Sequence, residues 1–298
     1  MMAVRSLGYV RIGMRDPEEW ARVGTDILGF TAATANDGSV RLRMDAAPFR
    51  YLIEVSESDT FVCAGWQYPS DRYGALLSTL AEQGIDAKEG DDDACSARAV
   101  AAFVSFKDPS GNTVEVFHTR DGGSDFLSPL NLNYVADDLG LGHVVLPALE
   151  HAATCEFYEK FLGFELSDEL RLPPPMEGAP EMQINFYHAE NPRHHSIACF
   201  NGPAPSGVVH LMTEYTTIDE VGECLDRVTQ AGLPITASIG RHINDNMLSF
   251  YFLCPGGIPM EVGYDGEQFD WNVTKPTYST AGDHWGHEYN FPGIIDDG

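Results

Sequence analysis

At 298 residues the chain is about twice the length of a typical domain, so two units, each able to bury a core, are expected. Lys and Arg number 18 against 45 Asp and Glu, a formal net charge of −27, which repels nucleic acid, anionic membrane surfaces and bulk anionic ligands. Six scattered cysteines form no C-x-x-C pair, and no apolar run suits a signal peptide or a membrane span, so reduced core thiols and a cytoplasmic protein are expected.

The chain opens on a strand pattern, "SLGYVRIG" at 6–13, that returns as "GLGHVVLP" at 140–147. The following "WARVGTDILGF" (20–30) returns as "CEFYEKFLGF" (155–164), each ending in Leu-Gly-Phe. Later, "DPSGNTVEVF" (108–117) returns as "CPGGIPMEVG" (254–263), which sets Glu115 opposite Glu261. Two homologous halves follow, 1–128 and 139–298, joined across a stretch (121–138) rich in Gly, Ser, Asn and Asp.

In the second half "HVVLP" reads as a strand, and "EHAATCEFYEKFLG" as a helix with Phe157, Phe161 and Leu162 at helical spacing. "MQINFYHA" and "HSIACF" read as strands around the turn "ENPR", and "GVVHLMTEY" as another. "TIDEVGECLDRVTQAG" is a helix opened by a Thr/Asp cap and closed by Gly232; "MLSFYFLC" and "PMEVGYD" are a final pair of strands. Each half is thus a pair of βαβββ units, an α+β fold.

Nine of the ten histidines lie between residues 143 and 287, although the halves share ancestry. A structural role does not predict that asymmetry. His143 and His210 lie on the first strands of successive units, and Glu261 lies on the last strand of the second. Two imidazoles and one carboxylate form the facial triad by which non-haem Fe(II) enzymes hold a metal with open positions. The first half has Tyr9, a residue near Ala64, and Glu115 at these places, so it is expected to hold no metal.

"LGHVVL", "NPRHHSIA", "VVHLM" and "GRHINDNMLSFYFLCPGGIPMEVGYDG" (240–266) resemble the type I extradiol ring-cleavage dioxygenases of the vicinal oxygen chelate superfamily, and the likeness runs over essentially the whole chain. The resemblance implies four βαβββ modules in two domains, with Fe(II) in the second alone, bound by His143, His210 and Glu261. It implies an acid/base role for His195, and places His242 and Tyr251 against the oxygens of a catechol that is cleaved with O2. Asn244 and Asp245 support these groups, and Phe186, Tyr187, Met176 and "RLPPP" (171–175) are candidate pocket walls. The expected substrate is a bulky 3-substituted catechol, of biphenyl or steroid type, and the expected assembly a homo-oligomer. Other members of the superfamily are metal-dependent isomerases, thiol transferases or non-catalytic binding proteins, and these remain the alternatives.

Three further histidines carry expectations. Strand alternation sends His194 away from the site if His195 faces it. His188 is expected to be an exposed polar residue, and His284 and His287 to serve packing in the tail.

Overall fold

A computed structural model of the chain describes residues 4–174, 178 and 180–290; Pro175 and Met176 of the expected pocket wall lie outside the described residues. The first half builds one sheet from β1 (Ser6–Met14), β2 (Thr31–Thr34), β3 (Val40–Arg43), β4 (Tyr51–Val55), β5 (Thr60–Gln67), β6 (Lys88–Glu89), β7 (Val100–Lys107) and β8 (Thr113–Arg120). The second half supplies β9 (His143–Pro147), β10 (Glu165–Leu172), β11 (Met182–His188), β12 (Ile197–Phe200) and β13 (His210–Tyr215). It continues with β14 (Ile235–His242), β15 (Leu248–Cys254), β16 (Ile258–Tyr264), β17 (Thr277–Ser279) and β18 (Asp283–Trp285).

The order β2-β3-β4-β1-β5-β8-β7-β6 in one sheet answers β10-β11-β12-β9-β13-β16-β15-β14 in the other, where β17 and β18 are added at the edges. The senses match too: β1 is parallel to β4 and antiparallel to β5 as β9 is to β12 and β13, and β5 is parallel to β8 as β13 is to β16. The repeat seen in sequence is therefore a repeat of topology. Strands β10 and β14 fill the place after each helix that a βαβββ unit requires, and the two edge strands add to the pattern.

Helices α1 (Pro17–Arg22), α2 (Ser70–Glu82), α3 (Asp92–Arg98), α4 (His151–Phe157) and α5 (Ile218–Gln230) pack on the sheets. The Leu-Gly-Phe repeat has a physical cause: α1 and α4 each widen into a π-helical turn that ends at a glycine with positive φ, Gly29 (75°) and Gly163 (70°). Helix α5 opens on a reciprocal capping box between Thr217 and Glu220, and buries Val221, Cys224 and Val228 along one stripe.

The main apolar core draws on both halves, including Trp20, Phe30, Tyr51 and Trp66 from the first and Phe164, Tyr215, Phe252 and Val262 from the second. Polar bonds tie them inside it: the Tyr51 and Thr213 hydroxyls lie 2.7 Å apart, and the Trp20 indole donates to the Pro255 carbonyl at 3.1 Å. On its other face each sheet carries a smaller cluster. Tyr9 stacks on Phe117 and meets Phe49 at a tilt there in the first half; Val145, Leu170, Phe186 and Ala198 form a wall in the second.

Candidate active site

Strand register builds the site on the second sheet. His143 of β9 stands opposite Met212 of β13, Met212 opposite Glu261 of β16, and Glu261 opposite Tyr251 of β15. Because side chains alternate, this row shares one face, and His210, two residues before Met212, joins it. His143 Nε2 lies 3.1 Å from His210 Nε2 and 3.1 Å from Glu261 Oε2, while His210 Nε2 lies 3.3 Å from the same oxygen.

Three such atoms within 4.8 Å of one another could hold a metal ion. Burial pushes His143 down to about 4, which leaves its ring neutral at pH 7. Burial also opposes charge on Glu261, yet hydrogen bonds from His143, His210 and His242 hold its carboxylate well below the usual range. An octahedron whose ligands sit about 2.2 Å from the ion has edges of about 3.1 Å, so the donor triangle fits one face of a six-coordinate divalent metal.

Two further groups flank the triangle. The His195 ring lies 4.0 Å from that of His143 and packs edge-on against Phe186 at 4.8 Å. Burial, reinforced by the neighbouring His143 and His194, drives His195 well below its usual pKa, so its ring is neutral at pH 7. On the other side His242 Nε2 faces the Tyr251 hydroxyl at 2.8 Å and Glu261 Oε1 at 3.3 Å. Burial works against charge on His242, but hydrogen bonds to Asp283 and Glu261 outweigh it and raise its pKa to about 10.

The first sheet shows the same row without the ligands. Tyr9 stands opposite Gly65 and Gly65 opposite Glu115, so Cys63, not Ala64, is the register counterpart of His210. Glu115 receives two hydrogen bonds from Arg98 (2.7 and 2.8 Å), one from Arg11 (2.5 Å) and one from the Tyr9 hydroxyl (2.7 Å). Two guanidinium groups compensate the carboxylate there.

Residues 140–262 match the Glyoxalase/Bleomycin resistance protein/Dioxygenase superfamily, and residues 7–55 match the family described as Dihydroxybiphenyl dioxygenase BphC D1. An iron-dependent extradiol dioxygenase of Rhodococcus jostii is 38% identical, covering 97% of this chain and 98% of its own. A biphenyl-2,3-diol 1,2-dioxygenase of Metapseudomonas furukawaii is 31% identical over 96% and 94% of the two chains. A crystal structure of catechol 2,3-dioxygenase superposes with a TM-score of 0.89 at 28% identity, covering 98% of this chain and 97% of that one. The chain belongs to the extradiol ring-cleavage dioxygenases.

Within this extradiol dioxygenase, some residues sit where the sequence did not place them. His194 and His195 precede β12 rather than lie on it, so alternation does not apply: both are buried, their Nδ1 atoms 3.0 Å apart. His188 is 7% exposed, not a surface residue, because Trp271 stacks on it at 3.8 Å and Ser167 bonds its Nδ1. Phe186 lies on the site's face, whereas Tyr187, its neighbour in β11, points into the main core at 0% exposure and is removed from the pocket wall.

Asp245 is buried with Oδ2 3.9 Å from His195 Nδ1, whereas the Asn244 side chain turns to the neighbouring Asp245 backbone N–H. His284 is exposed, but His287 is buried beside the site, its ring 4.3 Å from that of His242. Asp283, which no local pattern singled out, accepts from both His242 and His287.

Proposed function

We propose that this extradiol dioxygenase uses Fe(II), held by His143, His210 and Glu261, to cleave a bulky 3-substituted catechol with O2. The observation that carries the reading is the convergence of three donors, buried His143 and Glu261 and half-buried His210, between a neutral imidazole, His195, and a hydrogen-bonding pair, His242 and Tyr251. The metal would supply open positions at which both catechol oxygens and O2 meet.

The chain supplies the rest. The neutral His195 accepts a proton from the incoming catechol and holds it at its ring for later return. Tyr251 and His242 donate hydrogen bonds to a catechol oxygen whose charge changes during cleavage. Val145, Ala198, Phe186, Leu170 and Ile184 form an apolar wall beside the ligands, suited to an aryl substituent. Support for such a substrate comes from relatives named for biphenyl-2,3-diol, 1,2-dihydroxynaphthalene and 2,2',3-trihydroxybiphenyl.

In this reading residues 1–128 form a metal-free unit and 139–298 the metal-binding one, in a cytoplasmic homo-oligomer. Among the described residues no helix is long and apolar enough to cross a membrane.

Protein reconstituted anaerobically with Fe(II) and mixed with 2,3-dihydroxybiphenyl should, on admitting air, consume one O2 per catechol and turn yellow. Label from isotopic O2 should enter the ring-opened hydroxy-dienoate. A cis,cis-muconate product, or no oxygen uptake across a broad catechol panel with metal bound, overturns the reading.

A further inference from the structure

The tail of the described chain is zipped along β14. Strand β18 pairs antiparallel with it, Arg241 opposite Trp285 and His242 opposite Asp283. Past the pairing, the Glu288 N–H donates to the Ser238 hydroxyl at 2.9 Å and the Asn290 N–H to the Thr236 carbonyl at 2.8 Å. The fit is close. A Cβ on Gly240 would stand 2.4 Å from the His287 ring, so only glycine lets the tail approach this strand.

This strap delivers one carboxylate to one ring. Asp283 Oδ1 accepts from His242 Nδ1 at 2.8 Å, and the same oxygen accepts from His287 Nδ1 at 2.6 Å. His287 is anchored in turn, with Nε2 3.1 Å from both the hydroxyl and the carbonyl oxygen of Ser249 on β15. With Nδ1–H of His242 committed to Asp283, the ring can present only Nε2 to Tyr251 and Glu261.

We infer that Asp283 and His287 are positioning residues, which fix the orientation of the His242 ring so that Nε2 meets the substrate oxygen. The inference rests on the catechol-cleaving reading for its consequence, but not for its geometry. A rotated His242 would aim the wrong nitrogen, or none, at the site. Loss of a partner that orients a functional imidazole commonly lowers activity about 10- to 100-fold.

The test separates geometry from turnover. Metal-free protein labelled with ¹⁵N-histidine should show a slowly exchanging His242 Nδ1–H resonance, assigned by its absence in His242→Gln. Asp283→Asn should lose it, and Asp283→Glu should partly restore it. With Fe(II) bound at wild-type stoichiometry, Asp283→Asn should lower kcat about 10- to 100-fold, with a smaller change in KM. His287→Gln should lower kcat less, and it decides the matter if Asp283→Asn does not fold. An exchange-labile Nδ1–H in the wild type, or wild-type kcat in Asp283→Asn or in both folded variants, overturns the inference. A wild-type enzyme that cleaves no catechol, while the resonance behaves as described, overturns the functional reading and leaves the positioning geometry standing.

Discussion

Glu115 holds in the first sheet the register position that Glu261 holds in the second, each reached from the first strand of its half through one intervening residue. Their charges are balanced differently. Arg11 and Arg98 surround Glu115, whereas the imidazoles of His143 and His210 meet Glu261. The two sites are one architecture in two electrostatic solutions.

Glu115→Gln should therefore leave metal content and turnover unchanged while weakening the fold. Arg98 loses its counter-charge while Arg11 keeps Glu54, and breaking such a buried pair costs about 3 kcal/mol. Urea denaturation should show a lowered midpoint, with the same metal-to-protein ratio as wild type; loss of metal would show that the first half contributes to binding it.

His210→Ala removes one donor of the triangle. The variant should remain folded by circular dichroism, yet retain little iron after gel filtration and show no ring cleavage. Full iron occupancy with normal turnover would exclude His210 as a ligand.

His195→Asn should keep iron and bind catechol anaerobically, but turn over about 10²- to 10⁴-fold more slowly, the scale for loss of a general acid/base. Loss of iron in this variant would instead make His195 a ligand.

Phe186→Ala opens the apolar wall. KM for 2,3-dihydroxybiphenyl should rise about 10-fold, against little change for unsubstituted catechol, since a few buried methylenes discriminate on that scale. Tyr187→Phe, on the other face of the same strand, should leave both values unchanged. The comparison reads strand alternation directly in kinetics.

His188 links the fold to pH. Burial pushes it down to about 4, with a smaller push from His194, so between roughly pH 6.5 and 4 the unfolded chain binds a proton that the folded chain refuses. Stability should then fall as pH drops through that window, and a denaturation midpoint measured in metal-free His188→Gln should fall less steeply than in wild type.

The meeting of His143, His210 and Glu261 was legible because these residues stand in a repeat whose other copy lacks the two histidines, so the asymmetry itself was informative. The α5 helix was legible for a local reason, a cap and a stripe within one window. What escaped was non-local. Trp271 covers His188 from 83 residues away, and Asp283 reaches His242 only because an edge strand of the tail pairs with β14. No periodicity within either segment encodes such a meeting. The counterpart of His210 was legible only to within a residue of Ala64: aligning β5 with β13 by eye is uncertain by one residue, and in a strand one residue exchanges the faces, which register settles as Cys63.

The hydroxyl contact between Tyr51 and Thr213, and the reach of Trp20 to Pro255, give the first half a hold on its twin that outlasts its own chemistry. The first copy has Tyr9 and Cys63 where the second has His143 and His210, yet it could not be removed without uncovering its twin. Its interior is continuous with that of the other copy, and without it Leu211, Tyr215 and Val262 would lose part of the packing around them. Ancestry explains why the silent copy exists; shared packing explains why it was kept.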